Sequence, residues 1–209
     1  KYLFDFILVP DGTDVLVDVK ADRAAALAQR LGMYRLRAQV SVEVAGLAVV
    51  TGTGEAPAGA FADPRDPGLG WRALVVDPAA ALAGVAPLEP EAAEDLRVAL
   101  GVPETGVELL PDESYILEMD FERLHGVDFR KGCYVGQEVT ARMKHKTELR
   151  KGLARVRLSA AVPVGTPILD GDKEAGTVYT QSANEGIAYL RFDRATGGMQ
   201  AGHAALTLI

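Results

Sequence analysis

From Gly152 onward the chain is a series of short strand-like runs with little room between them. Leu153-Ala154-Arg155-Val156-Arg157-Leu158 alternates in character. Pro167-Ile168-Leu169, Gly176-Thr177-Val178-Tyr179, Gly186-Ile187-Ala188-Tyr189-Leu190 and Ala205-Leu206-Thr207-Leu208 follow at short intervals. Asp170-Gly171-Asp172 and Gly197-Gly198 supply turn chemistry between them. Connections this short suit antiparallel neighbours, because a parallel pair needs a crossover of a dozen residues or more. The expected result is a small antiparallel barrel or sandwich. The boundary with what precedes is placed near Arg150, giving one unit over 1–150 and a second over 151–209.

Upstream, strand and helix patterns mix. Tyr2 to Val9 reads as a buried strand and Val15 to Val19 as its hairpin partner, with Pro10-Asp11-Gly12-Thr13-Asp14 as a five-residue loop. Asp22 is a candidate cap for a helix whose stripe is Leu27, Leu31 and Tyr34. Gln39 to Val44 alternates with period two and predicts a strand with one buried face; Ala45 to Thr51 predicts another. Residues 52–70 are rich in Gly, Ala and Pro and read as loops, and Trp71 to Val76 as a further strand. Pro90 to Leu100 predicts a helix, with Pro90 near its first position, Glu91 and Glu94 early, and Gly101 beyond its end. Ala93, Leu96 and Leu100 give that helix its apolar face. The order implies an α+β unit with helices on one face of an antiparallel sheet. The first residue is Lys1, which runs straight into strand-like sequence, so an N-terminal segment is expected to be missing.

Composition excludes several classes. The net charge of -7 argues against general nucleic-acid binding, which needs a basic surface. No run approaches the 18 or so apolar residues of a membrane span, and no signal peptide is visible. A single cysteine, Cys133, rules out an internal disulfide framework and suits a reducing compartment. Bacterial cytoplasm is the default location, with the mitochondrial matrix open.

The chemistry concentrates in Lys131-Gly132-Cys133-Tyr134-Val135-Gly136-Gln137-Glu138. Gly132 and Gly136 remove side chains where the backbone must turn or approach something closely. Tyr134 to Lys146 predicts a helix, which would put Cys133 at its N-terminus. The helix dipole, with Lys131 beside it, favours a thiolate there. Against this, a lone cysteine is more often a small buried hydrophobe than a nucleophile. His125, His145 and His203 are scattered, and one cysteine without a His/Asp cluster cannot build a zinc or iron–sulfur site unaided. Arg142-Met143-Lys144-His145-Lys146, with Arg150 and Lys151, is a basic stretch in an acidic chain. It reads either as a solvated helix face or as a contact for an anionic ligand.

The string at 131–138 resembles the signature of the YgfZ/Iba57 family of folate-binding proteins, relatives of the glycine-cleavage T-protein associated with iron–sulfur cluster assembly and repair. Leu31 to Ala38, Asp63-Pro64-Arg65 with Leu69-Gly70-Trp71-Arg72, and Gly101-Val102-Pro103-Glu104 resemble further family segments in the same order. The resemblance implies a T-protein-like α+β fold with a ferredoxin-like region, and a C-terminal antiparallel β-barrel closing a cavity for tetrahydrofolate. It implies Glu118 as a pterin contact, since a carboxylate accepts paired N–H bonds. Arg142 and Arg72 would be further folate contacts, although Arg65 and Arg72 could equally pair with Asp63 or Asp66. Cys133 and Lys131 become the working pair, with Gly132, Tyr134, Gly136, Gln137 and Glu138 completing the motif. The implied function is a folate-binding accessory factor serving iron–sulfur client or assembly proteins. The alternative is aminomethyl transfer to tetrahydrofolate of the T-protein type, and a third reading is a noncatalytic folate-binding module.

Overall fold

The computed structural model describes residues 1–85, 88–146 and 148–209. The chain opens with a hairpin of β1 (Ile7–Asp11) and β2 (Asp14–Asp18). Helix α1 (Ala24–Tyr34) follows. Strands β3 (Ala48–Gly52), β4 (Phe61–Ala62) and β5 (Trp71–Val75) form an antiparallel sheet in the order β3-β5-β4. Helices α2 (Pro78–Ala81), α3 (Pro90–Ala99) and α4 (Glu138–Lys146) come next. The last six strands are β6 (Lys151–Leu158), β7 (Pro167–Asp170), β8 (Lys173–Ser182), β9 (Glu185–Arg191), β10 (Met199–Ala201) and β11 (Ala204–Leu208).

Those six close into an antiparallel barrel in the order β10-β11-β6-β9-β8-β7, with β10 pairing back onto β7. Of the two expectations, barrel or sandwich, the barrel holds. Val156 and Leu158 on β6, and Ala204 and Leu206 on β11, alternate into its core with Ile168, Val178, Ala188 and Leu190. Register shifts between Ile168 and Leu169, and between Val178 and Gln181, bend β7, β8 and β9. Bulges of this kind supply the curvature that closure requires.

Several local expectations give way. The hairpin turn takes two residues, not five, because pairing runs down to Asp11 opposite Asp14 and Gly12 adopts φ +59°. Residues 1–6 lie outside the hairpin. Tyr2, 1% exposed, instead docks by its amide on Ser114 O (2.8 Å) and by its carbonyl on Asp112 N (2.9 Å). Asp22 does not cap α1; it sits within a 3-10 turn, Ala21–Arg23, that leads into the helix. Gln39 to Val44 forms no strand, and Val40, Val42 and Val44 are exposed. The alternation is present, but no described strand pairs with it. On α3 the buried residue is Val98, while Ala93 is exposed. Helix α4 starts at Glu138, not Tyr134.

One buried group joins α3 to the barrel. Glu108 has a fully buried side chain. Its Oε1 accepts from Thr180 Oγ1 on β8 at 2.6 Å, and its Oε2 from Glu104 N at 2.8 Å and Arg97 Nη1 at 3.2 Å. Arg97, on α3, also donates to Thr180 Oγ1 (2.8 Å), Val102 O (2.6 Å) and Glu94 (2.6 Å). Removing one partner of a buried pair costs about 3–5 kcal/mol, because the other charge is left uncompensated. Arg97 keeps Glu94, so Glu108→Ala should cost about 3 kcal/mol, the low end of that range. Urea unfolding of the intact chain measures it; a loss below about 1 kcal/mol, the scale of a surface pair, would show that the joint is not structural.

Candidate functional site

Residues 131–137 form a surface loop feeding α4. Gly132 (φ +92°) and Gly136 (φ +88°) adopt left-handed backbone, and nothing stands within 4 Å of where a Cβ would be. They serve chain direction, not close packing. Gln137 Oε1 accepts the Tyr134 amide at 3.0 Å, and Lys131 Nζ lies 4.7 Å from the centre of the Tyr134 ring. Cys133 is exposed, and Val135 is wholly so. The buried-hydrophobe reading of this cysteine is therefore set aside. The helix-start reading is corrected as well. Gly136 breaks helical geometry, so α4 begins five residues after Cys133, beyond the first-turn amides. Among the described residues no group of three or more His, Cys, Asp or Glu could hold a metal.

Glu118 lies where the 110–121 segment crosses the barrel. Its main-chain oxygen accepts from Leu153 N on β6 at 2.8 Å, and its Oε2 from the Tyr189 hydroxyl on β9 at 2.6 Å. The Tyr189 ring packs against the cluster of Tyr2, Leu109 and Met119. Burial raises the Tyr189 hydroxyl well above the ordinary tyrosine value, and the Glu118 carboxylate raises it further. Tyr2 is pushed up to about 12, chiefly by burial; the hydrogen bond with Thr105 lowers it and Asp5 raises it.

Arg72 is committed elsewhere. Its Nη2 and Nε hold Asp18 Oδ2 at 2.6 and 2.8 Å, and its Nη1 reaches Asp63 Oδ2 at 3.2 Å. Arg65 grips Asp63 with Nη2 at 2.7 Å and Nε at 3.0 Å. Burial pushes the Asp63 carboxyl up, but the hydrogen bonds and charge of Arg65, with Arg72 beyond, hold it below its ordinary value. Asp18 was not foreseen as a partner; Asp66 accepts from Gly68 N instead and meets Arg123. Arg142 is exposed on α4, where Lys144 pairs with Glu122. The side chain of Lys146 lies outside the described residues.

Two clefts stand out. One, of about 390 Å³, is lined by Phe4, Phe6, Leu31, Tyr34, Ile116 and Phe121, with Arg30 and Lys1 among its cations. The other, of about 380 Å³, lies between Leu100, Arg123, Leu153, Arg155 and Ile187. Neither includes Glu118, Arg72, Arg142 or Cys133. The first is an aromatic groove that the sequence analysis missed. The alternating Phe4 and Phe6 were the available signal, but they read as strand core.

The family model described as CAF17, C-terminal beta-barrel domain, matches residues 150–209, the segment that forms the barrel. The iron-sulfur cluster assembly factor IBA57, mitochondrial, of Mus musculus is 31% identical over 94% of this chain, and that of Homo sapiens 32% over 94%. Over nearly its whole length the chain is similar to the YgfZ/Iba57 family. The IBA57 homolog of Neurospora crassa is 32% identical over 72% of the chain. The chain spans 63% of the length of the mouse and human relatives. No described helix is long and apolar enough to cross a membrane.

The raised tyrosines fix a pH dependence. An unfolded tyrosine loses its proton near 10, while folded Tyr2 and Tyr189 hold theirs to higher pH. Their stabilising contribution is thus whole below about 10 and drains away as pH rises through 10 toward 12. Unfolding midpoints measured from pH 9 to about 11.5 should fall with that onset. In Glu118→Gln the absorbance titration of tyrosine should show Tyr189 ionising at lower pH; an unchanged titration would refute the Glu118 contribution.

Proposed function

We propose that the protein is a tetrahydrofolate-binding accessory factor in iron–sulfur cluster assembly or repair, with Cys133 as its working thiol. The observation that carries this reading is similarity along 94% of the chain to relatives named iron-sulfur cluster assembly factor, with Cys133 of the 131–138 motif open to solvent. A solvent-facing thiol is open to whatever partner or ligand approaches the loop. The cluster is cargo in this reading, and assembly or client proteins are the partners. The relatives carry mitochondrial names; a reducing compartment, bacterial cytoplasm or mitochondrial matrix, is proposed here.

The folate part rests on Glu118. Its Oε1 has no protein partner among the described hydrogen bonds, and Oε2 accepts one bond from Tyr189. A carboxylate has about four lone-pair sites, so it retains capacity for the adjacent N–H donors of a pterin. The aromatic groove beside Ile116 and Phe121 offers flat apolar surface of the kind a pterin or benzoyl ring covers. Arg72 fits the ligand role poorly, because Asp18 and Asp63 occupy its guanidinium. Arg142 remains an exposed cation for the anionic tail.

Complementation of a strain lacking its own family member tests the thiol. The wild-type chain should restore the activity of iron–sulfur enzymes and Cys133→Ala should not; full rescue by the alanine variant rejects the working thiol. Calorimetric titration tests the tail. Arg142→Gln with Lys146→Gln should weaken polyglutamyl tetrahydrofolate more than the monoglutamyl form, and equal weakening would assign the basic stretch to a solvated face.

A further inference from the structure

We propose that Tyr189 is the positioning residue of Glu118: one rung of the barrel fixes the carboxylate that reads the pterin. This rests on the reading of Glu118 as the pterin contact. Leu153 and Tyr189 are paired residues on β6 and β9. The first donates its amide to the Glu118 main-chain oxygen at 2.8 Å, and the second its hydroxyl to Glu118 Oε2 at 2.6 Å. Glu118 is therefore fastened twice to the same rung, once through the backbone and once through the side chain.

That rung has little freedom to move. Gly176 on β8 lies so close that a Cβ there would stand 2.1 Å from Tyr189 O. The ring of Tyr189 packs against the buried cluster of Tyr2, Leu109 and Met119. A tyrosine hydroxyl has one proton to donate, and here it goes to Oε2. That bond anchors one carboxylate oxygen, and Oε1 has no protein partner among the described hydrogen bonds. A glutamate left free would have to order its rotamers on binding, which weakens affinity.

A purely structural role for this hydrogen bond is the competing account, since buried tyrosine hydroxyls generally find a partner. The two separate on selectivity. A positioned carboxylate distinguishes a ligand that carries the pterin 2-amino donor from one that lacks it. A hydrogen bond that only supports packing affects both ligands alike.

The test uses the full chain as wild type, Glu118→Gln, Tyr189→Phe and the double variant. Each is titrated with tetrahydrofolate and with its 2-desamino-2-methyl analogue, and each is melted. Tyr189→Phe keeps the ring and should melt close to wild type. It should lose about tenfold in affinity for tetrahydrofolate, the lower bound for a hydrogen bond to a charged group, and little for the analogue. In the double variant, Tyr189→Phe should add nothing to the loss caused by Glu118→Gln. Equal weakening of both ligands, or additive losses, overturns the positioning role while leaving Glu118 in place. If wild type does not discriminate between the ligands, or Glu118→Gln binds both as wild type does, the pterin reading of Glu118 fails and the positioning role falls with it.

Discussion

The buried carboxylate of Glu108 is the point at which two different kinds of structure become one molecule. The barrel can close from its own sequence: its core of Val156, Ile168, Val178, Ala188 and Leu190 is supplied entirely by its own strands. Among the described residues the upstream part shows smaller clusters, around Tyr2 and around Trp71. Leu153 and Tyr189 of the barrel pack on the Tyr2 cluster, and beside that apolar contact the joint is polar. Arg97 from α3, the amide of Glu104 and Thr180 from β8 converge on a single side chain shut away from water. A buried ion pair is costly to desolvate and contributes little net stability, but it is intolerant of misplacement. That intolerance makes it suited to setting register between α3 and β8.

The consequence reaches Glu118 by a short route. From the Arg97–Glu108 joint, Arg97 holds Val102 O, Thr105 meets the Tyr2 hydroxyl, and the Tyr2 amide holds Ser114 O. Once α3 and the barrel are in register, the 110–121 segment must run along the barrel edge. It takes left-handed backbone at Asp112 and Asp120 to do so, a conformation that aspartate tolerates better than most side chains. Glu118 then meets the β6–β9 rung as a result of that path. Its placement is a property of the joint between the two units, and neither unit would define it alone.

Much of this was legible in the residues. An antiparallel barrel or sandwich was legible because its strands are short, alternate and are separated by Gly and Asp turns, all local signals; the resemblance chose the barrel. Helix α3 was bounded correctly by Pro90 and Gly101 for the same reason. The failures have a common cause, which is that a local pattern was read without its partner. Val40, Val42 and Val44 alternate as strand residues should, yet no described strand pairs with them. The start of α4 was put too early because Gly136 was read for what it might touch and not for its backbone angle. Glu118 could be singled out by resemblance, but Tyr189 could not, since 71 residues separate the two and nothing in β9 marks that tyrosine from its neighbours.

Cys133 and Glu118 sit in opposite physical settings, and this bears on how one chain would use both. Glu118 is held by two hydrogen bonds to a closed barrel, so a ligand reaching it would meet a preformed surface. Cys133 lies in a loop whose two left-handed glycines leave open space where a Cβ would stand, beside a fully exposed Val135. A preformed carboxylate favours recognition, because little ordering is left to be done on binding. An exposed loop with unencumbered glycines favours adaptation, because its backbone can follow whatever approaches the thiol. A small molecule of fixed shape suits the first, and a macromolecular surface of larger and less regular shape suits the second. In the proposed function the barrel would read the folate and the loop would present the thiol to a partner.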